Sequence, residues 1–362
     1  MGLKVIIAGG GTGGHFFPAV AVAEEISFRN KDAAITFVGT SRGLEGRVIP
    51  HTAWNLITME VPSLKGSGLI GKLRAFLNMP KAFLEARRAL KKVKPHIVIG
   101  VGGYTAGPVT LMAALTGIPS VAMEQNAIAG FTNRILGHFV DKVFITFQES
   151  AKYFPKRKII NSGNTVRKKI KDAALGTSVK KKGFTLLIFG GSQGAKRINE
   201  TFLSALGYLE EAREDIHIIH QIGRIENMDR FSAAYKAKGF SAEVYHFIED
   251  MGKAYSMADL VICRAGATSV AELTVVGKPA IFIPYPFAAD NHQDANAKAL
   301  FDVGACVIIK DKDLNGEALA QEIRRLIDEP FALSSMAVAM KRFGKPEAAK
   351  IIVDECMKMV AP

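Results

Sequence analysis

Seven residues near the start of the chain, Gly9-Gly10-Gly11-Thr12-Gly13-Gly14-His15, combine two kinds of chemistry. A glycine turn lets backbone N–H groups approach a phosphate that side chains would hold off, and a helix opening behind it adds a positive end. The imidazole beside it titrates near neutrality, so it can take or give a proton. Further on, Arg264-Ala265-Gly266-Ala267-Thr268-Ser269-Val270-Ala271-Glu272 reads as a strand end, a turn and a first helical turn, with Glu272 about one turn in. Phosphate on the helix N–H groups and a ribose diol on the carboxylate suit that order. A Ser-x-x-Glu capping box from Ser269 to Glu272 accounts for the same spacing. Glu124-Gln125-Asn126 follows an apolar run, at the kind of strand end where parallel sheets bind ligands; a helix-capping loop would look the same. Asp290-Asn291-His292-Gln293 and Asn296 supply groups that can read hydroxyls.

Each of these stretches needs a strand before it and a helix after it. Val5–Ala8 reads as a buried parallel strand, and Ala19 to Ile26 as a helix with Pro18 in its first turn. About half the chain later the arrangement repeats: a strand at Thr185–Phe189, the loop Gly190-Gly191-Ser192-Gln193-Gly194, and a helix from about Ala195 to Leu206. Further strands are expected at 34–38, 97–101, 120–123, 142–145 and 159–160 in the first half. In the second they are expected at 217–221, 243–247, 260–263, 280–283 and 305–308. This predicts an α/β chain of two Rossmann-like halves with parallel sheets facing a central cleft, joined by the lysine-rich run up to Lys182. Gly9-x-Gly11-x-x-Gly14 also fits a dinucleotide fingerprint. No acid ends the next strand, where Arg42 could at best answer a 2′-phosphate, so a nicotinamide cofactor is not expected.

The 362 residues carry 47 Lys and Arg against 34 Asp and Glu, a net charge of +13. Lys65 to Lys94 holds nine basic residues against Glu85 alone, and Lys152 to Lys182 eleven against Asp172 alone. An anionic partner follows: a membrane surface, nucleic acid or a phosphorylated substrate. Aromatic residues do not interleave the basic runs as base stacking requires, so nucleic acid is not expected. Leu69, Ile70, Leu73, Phe76 and Leu77, with Lys72 and Arg74 beside them, form a short basic-apolar helix suited to an anionic bilayer; an amphipathic helix packed on a sheet has the same pattern. Beyond Pro80 a second helix is expected. The uncharged stretch Ile97 to Met123 is too broken by Gly and Pro to span a membrane. The first strand begins almost at Met1, which leaves no visible signal peptide. Cys263, Cys306 and Cys356 form neither a disulfide framework nor a zinc pattern.

Read together, GGGTGGHFFP (9–18), MEQNAIAGFTN (123–133), SGNTVR (162–167), FGGSQGAKRIN (189–199), RAGATSVAEL (264–273) and DNHQDANA (290–297) resemble the MurG family of bacterial N-acetylglucosaminyltransferases, in order and over nearly the whole chain. Members convert lipid I to lipid II at the cytoplasmic face of the membrane. The resemblance implies a GT-B fold: an N-terminal domain over 1–163 on the acceptor and membrane side, a UDP-GlcNAc-binding domain over 164–340, and a terminal helix over 341–362 crossing back to the first. It also implies an inverting transfer of GlcNAc from UDP-GlcNAc to the C4 hydroxyl of the MurNAc in undecaprenyl-pyrophosphoryl-MurNAc-pentapeptide, with no cofactor and with anionic inner-leaflet lipids beneath the enzyme. Carried over by position, Thr12, Gly13 and Gly14 lie near the sugar and acceptor pyrophosphate. Asn126 contacts GlcNAc, Arg167 and Ser192 hold the UDP phosphates, and Ile248 lies where backbone reads uracil. Ala267 through Glu272 take the α-phosphate and ribose, and Gln293 and Asn296 bind GlcNAc hydroxyls. Met123 departs from the pattern, since many relatives place His there. His15 is the candidate base, with Glu124 as its orienting partner or as the base itself; a phosphate-binding or capping His15 stays open. No credible Asp-x-Asp metal pattern exists, so the leaving charge is expected on Arg167, Ser192 and helix N-termini. A UDP-GlcNAc 2-epimerase, a transferase to another lipid and a non-enzymatic nucleic-acid binder are the alternatives.

Overall fold

The computed structural model describes residues 2–59, 69–175, 183–191 and 194–360, with the side chains of 69–78, 174–175 and 289 left out. The chain divides into two units, Met1–Arg167 with Pro346–Pro362, and Lys168–Lys345.

The first unit is built on a seven-stranded sheet in which every pairing is parallel. Its strands are β1 (Lys4–Gly9), β2 (Ala34–Gly39), β3 (Asn55–Thr58), β4 (Ile97–Gly102), β5 (Ser120–Glu124), β6 (Lys142–Ile145) and β7 (Ile159–Asn161), in the order β3-β2-β1-β4-β5-β6-β7. Helices cover both faces of such a sheet, so its central strands are apolar runs rather than alternating ones. Val5, Ile6, Ile7 and Ala8 are all fully buried, as are Ile97, Val98, Ile99 and Val101. The order reverses between β1 and β4, and Gly9 pairs there with Gly102. A Cβ on Gly9 would lie 2.1 Å from the Gly102 carbonyl oxygen, so only glycine fits at the end of β1 where the two strands meet.

The terminal helix Ala348–Val360 belongs to this unit. Its Ile352, Val353 and Cys356 join the core formed by Val5, Phe16, Val22 and Ile99. Ion pairs from Arg29 to Asp354 and from Lys142 to Glu355 fix its register.

The second unit repeats the plan with six parallel strands. They are β8 (Phe184–Phe189), β9 (Ile216–Gln221), β10 (Ser241–Tyr245), β11 (Leu260–Cys263), β12 (Ala280–Phe282) and β13 (Cys306–Ile308), ordered β10-β9-β8-β11-β12-β13. The reversal falls between β8 and β11.

Several sequence expectations are corrected. The first helix runs from Gly13 to Arg29 and takes the end of the glycine run into its first turn, with Pro18 inside it. The N–H groups of His15 and Phe16 already bond to the Thr12 carbonyl, at 3.2 and 3.0 Å. Leu69–Val93 is one helix through Pro80, not two. Proline removes one backbone bond, and the burial of Ala82, Ala86 and Leu90 beyond it carries the helix on. Part of the presumed linker, Lys168–Leu175, is a helix packed within the second unit. The helix Leu44–Val48 and strand β3 were not foreseen. β10 lies two residues earlier than expected, because an edge strand tolerates the alternating polar Ser241 and Glu243.

The core of the second unit holds a buried polar chain. Asn199 donates its amide to the Ile222 carbonyl (2.8 Å), which turns its oxygen to His220 Nε2 (3.2 Å). Nδ1 of the imidazole then accepts from the Tyr235 hydroxyl at 2.6 Å. Burial among Phe202, Phe231 and Tyr235 pushes His220 down from 6.5 to about 3. The unfolded chain therefore binds the extra proton first as pH falls, and stability is lost between about pH 6.5 and pH 3. The loss reaches about 2 kcal/mol at pH 5. Urea unfolding at pH 7.5 and pH 5 will show this fall, and His220→Gln will flatten it by one proton's worth.

Candidate active site

In the first unit the carboxyl ends of β1, β4 and β5 bring His15, Glu124, Gln125 and Asn126 to one edge. His15 sits in the first turn of helix Gly13–Arg29 and is half-buried. Its ring lies against the turn after β4: a Cβ on Gly102, whose φ is +94°, would come within 2.7 Å of Nδ1 and Cε1. Nδ1 is 3.2 Å from Gln125 Oε1, and Gln125 Nε2 donates to the Val101 carbonyl at 3.0 Å.

Glu124 is engaged elsewhere. One carboxylate oxygen accepts from the Asn126 N–H and side-chain amide (3.0 and 3.3 Å), the other from the Gly130 N–H and Asn133 Nδ2 (both 2.9 Å). With four donors on a carboxylate only 3% exposed, Glu124 shapes the loop that carries Asn126. Arg167 stacks over Phe17 at 4.2 Å, two residues from His15 on the same helix.

Sequence reading missed Glu45. It is fully buried, and its carboxylate accepts from the Gly11 N–H and the Thr40 N–H (both 2.8 Å) and from the Thr40 hydroxyl (3.0 Å). It ties the glycine turn after β1 to the turn after β2. The end of β2 itself carries no acid, and the buried acid six residues beyond Gly39 has no local signature in the sequence.

In the second unit, helix Ala267–Val276 opens at the end of β11 with Gly266 as its cap residue and no side-chain cap. The Ser269–Glu272 capping box is therefore not formed. Glu272 is 5% exposed, and its Oε2 accepts from the Tyr255 hydroxyl at 3.0 Å. Ala267, Val270 and Ala271 are buried, so their contribution is backbone, whereas Thr268 and Ser269 are half-buried. Arg264 forms an ion pair with Asp311 at 2.6 Å and donates to the Ile283 and Pro284 carbonyls at 3.0 and 3.1 Å. Those bonds clamp the ends of β11 and β12 together. Asn296 is fully buried with its amide on the Ala265 carbonyl at 3.1 Å, and Gln293 accepts from the Tyr285 N–H at 2.9 Å. Ile248 is 8% exposed. After β8, Gly191 and Gly194 close a tight turn at 3.0 Å, with the Gln221 amide also on the Gly191 carbonyl. Ser192 lies outside the described residues, as do the side chains of Leu69, Ile70, Lys72, Leu73, Arg74, Phe76 and Leu77.

Two doubly wound units, each with a glycine turn at the point where its strand order reverses, give the two-domain architecture of the GT-B class. Sequence comparison gives the particular family. Residues 5–145 match the glycosyltransferase family 28 N-terminal domain and residues 185–352 its C-terminal domain. The chain belongs to glycosyltransferase family 28 and, within it, to the MurG enzymes.

The UDP-N-acetylglucosamine–N-acetylmuramyl-(pentapeptide) pyrophosphoryl-undecaprenol N-acetylglucosamine transferase of Myxococcus xanthus (strain DK1622) is 46% identical over 358 residues, 99% of this chain and 93% of its own. A crystal structure of Acinetobacter baumannii MurG superposes with a TM-score of 0.79 at 34% identity, covering 98% of this chain and 99% of that one. UDP-GlcNAc 2-epimerase from Neisseria meningitidis shares the fold alone, at a TM-score of 0.70 and 16% identity over 99% of this chain and all of that one.

Proposed function

We propose that the protein transfers GlcNAc from UDP-GlcNAc to the C4 hydroxyl of the MurNAc in lipid I, with inversion, to give lipid II. The observation that carries this is the glycine turn and helix N-terminus at the reversal point of each sheet, in a chain that matches a lipid-linked GlcNAc transferase end to end. The second unit takes the donor. Backbone from Ala267 through Ala271, with Thr268 and Ser269, receives the α-phosphate, Glu272 the ribose hydroxyls, and backbone near Ile248 the uracil. Gln293 and Asn126 read the sugar, while Asn296, fully buried on the Ala265 carbonyl, braces the turn before helix Ala267–Val276. Arg167 and Ser192 hold the departing UDP.

The first unit supplies the acceptor side, with Thr12, Gly13 and Gly14 near the acceptor pyrophosphate. His15 Nε2 takes the proton of the C4 hydroxyl as its oxygen forms the bond to C1 of GlcNAc. The bond from C1 to the phosphate oxygen breaks, and its electron pair leaves with UDP. Fixed donors meet that charge where it develops; loss of one such donor typically costs on the order of 10²–10³ in rate.

The test is GlcNAc transfer to a lipid I analogue, with UDP-GalNAc as control donor and UDP-GlcNAc alone as a check for epimerisation. Product with UDP-GlcNAc and acceptor is expected. Epimerisation without acceptor, and no transfer, would overturn the reading.

Lipid I is membrane-bound, and among the described residues no helix is long and apolar enough to cross a bilayer. Peripheral docking on anionic lipids of the cytoplasmic leaflet fits a further feature. Helix Leu69–Val93 packs on helix Ala106–Leu115, which packs on helix Phe131–Phe139. That last helix exposes Phe131, Ile135 and Phe139 at successive turns, and Leu115 is exposed on its neighbour. Lys152, Lys156 and Arg157 lie exposed in the segment that follows. Changing Phe131 and Ile135 together to serine is expected to weaken binding to anionic vesicles about tenfold in a sedimentation assay, and salt to weaken it further. Unchanged sedimentation under both changes would refute this face.

A further inference from the structure

We infer that Gln125 is a positioning residue that fixes where the proton sits on His15, holding it on Nδ1 so that Nε2 carries the basic lone pair. This rests on His15 being the base proposed above. The chemistry of three groups decides it. The Val101 carbonyl can only accept, so the Gln125 group 3.0 Å from it is the donating NH₂. The other end of the amide, 3.2 Å from His15 Nδ1, is then the carbonyl oxygen and can only accept. A neutral imidazole must meet it with Nδ1–H, which leaves the lone pair on Nε2. Gln125 is 1% exposed, so water does not compete for its amide, and the contact of the His15 ring with Gly102 keeps the imidazole facing it.

The division of labour is that of a hydrolase triad, where a third residue holds the imidazole tautomer, with a neutral amide in place of the carboxylate. A neutral partner adds no charge to hold a proton on the ring. When Nε2 takes the acceptor proton, Nδ1–H stays on Gln125 and no second proton moves. Glu124, the neighbouring residue that the sequence offered for this role, is occupied by its four donors.

The experiment is long-range ¹H–¹⁵N correlation NMR on the full protein labelled at histidine, at pH 8, with the His15 signals assigned by their loss in His15→Gln. The Nδ1–H pattern is expected for His15 in the unaltered protein. Gln125→Met keeps the length and apolar stem but loses both bonds, so the ring should revert to the Nε2–H form that predominates in water. With it kcat should fall about 10- to 100-fold, and the KM for UDP-GlcNAc should move less than about threefold. A Nε2–H pattern in the unaltered protein, or an unchanged Nδ1–H pattern in Gln125→Met, overturns the assignment, and the first of these needs no variant to fold. If the tautomer shifts as expected while kcat holds, the role of Gln125 stands as a tautomer clamp and the base role of His15 falls.

Discussion

Replacing His15 by alanine is expected to lower kcat for GlcNAc transfer about a thousandfold, while the KM for UDP-GlcNAc moves less than about threefold. A positioned general base contributes about 10²–10⁴ in rate. The groups proposed to hold the uridine and α-phosphate lie on the other sheet, around Gly266 and Glu272, and of the proposed UDP contacts only Arg167 belongs to the unit of His15. An effect confined to kcat therefore separates proton transfer from donor binding. The competing reading makes His15 a phosphate-binding or capping residue, for which KM of the lipid acceptor would rise and kcat hold. The pH dependence divides the two again. With the imidazole as base, kcat falls as pH drops through the imidazole range, and the alanine variant loses that limb. The substitution leaves the fold in place, because His15 is half-buried and the neighbouring Phe16, Ala19 and Val22 carry the packing of this helix. Equal kcat in the variant would remove His15 from the base role.

What could be read from the chain before its fold follows from the range over which each signal acts. Strands such as β1, β4 and β11 announce themselves because burial on both faces demands an unbroken apolar run, and a glycine turn after each is a local necessity. The polar residues that hold the site rigid carry no such mark. Glu45 reaches Gly11 across 34 positions, and Gln125 reaches His15 across 110. Nothing in the local spacing tells a buried carboxylate that ties two turns together from a surface one. The choice of Glu124 as orienting partner shows the same limit: it lies one residue from Gln125, and the alternation along a strand end decides which of the two faces the imidazole. The Ser269–Glu272 spacing suggested a capping box because that motif is local; the partner found for Glu272, Tyr255, lies 17 residues back on another helix. The lysine-rich run from Lys168 resembled a linker by composition. Ile170 is nevertheless buried, and one apolar position facing the neighbouring helices suffices to dock a short helix whose other sides are solvated.

The same separation of roles predicts the second large effect. Changing Glu272 to alanine is expected to raise the KM for UDP-GlcNAc about a hundredfold with kcat reduced far less. Two hydroxyls on one carboxylate are charge-assisted bonds, and each such bond is worth about 1.5–3 kcal/mol, so losing the pair removes at least about two orders of magnitude in donor affinity. The variant also strips the Tyr255 hydroxyl, fully buried and edge-on to Phe189, of its carboxylate acceptor. An unmade buried bond costs about 1–3 kcal/mol in stability. Tyr255→Phe separates that part from ligand contact: it removes the hydroxyl and leaves the buried carboxylate short of a donor, so stability should fall by a similar amount, about 1–3 kcal/mol, while KM rises only a fewfold as Glu272 loses its rest. Isothermal titration with UDP and with uridine alone checks the assignment of the contact. Both ligands carry the ribose and should lose similar affinity in Glu272→Ala, whereas a carboxylate that served only to brace Tyr255 would leave the two affinities near their starting values.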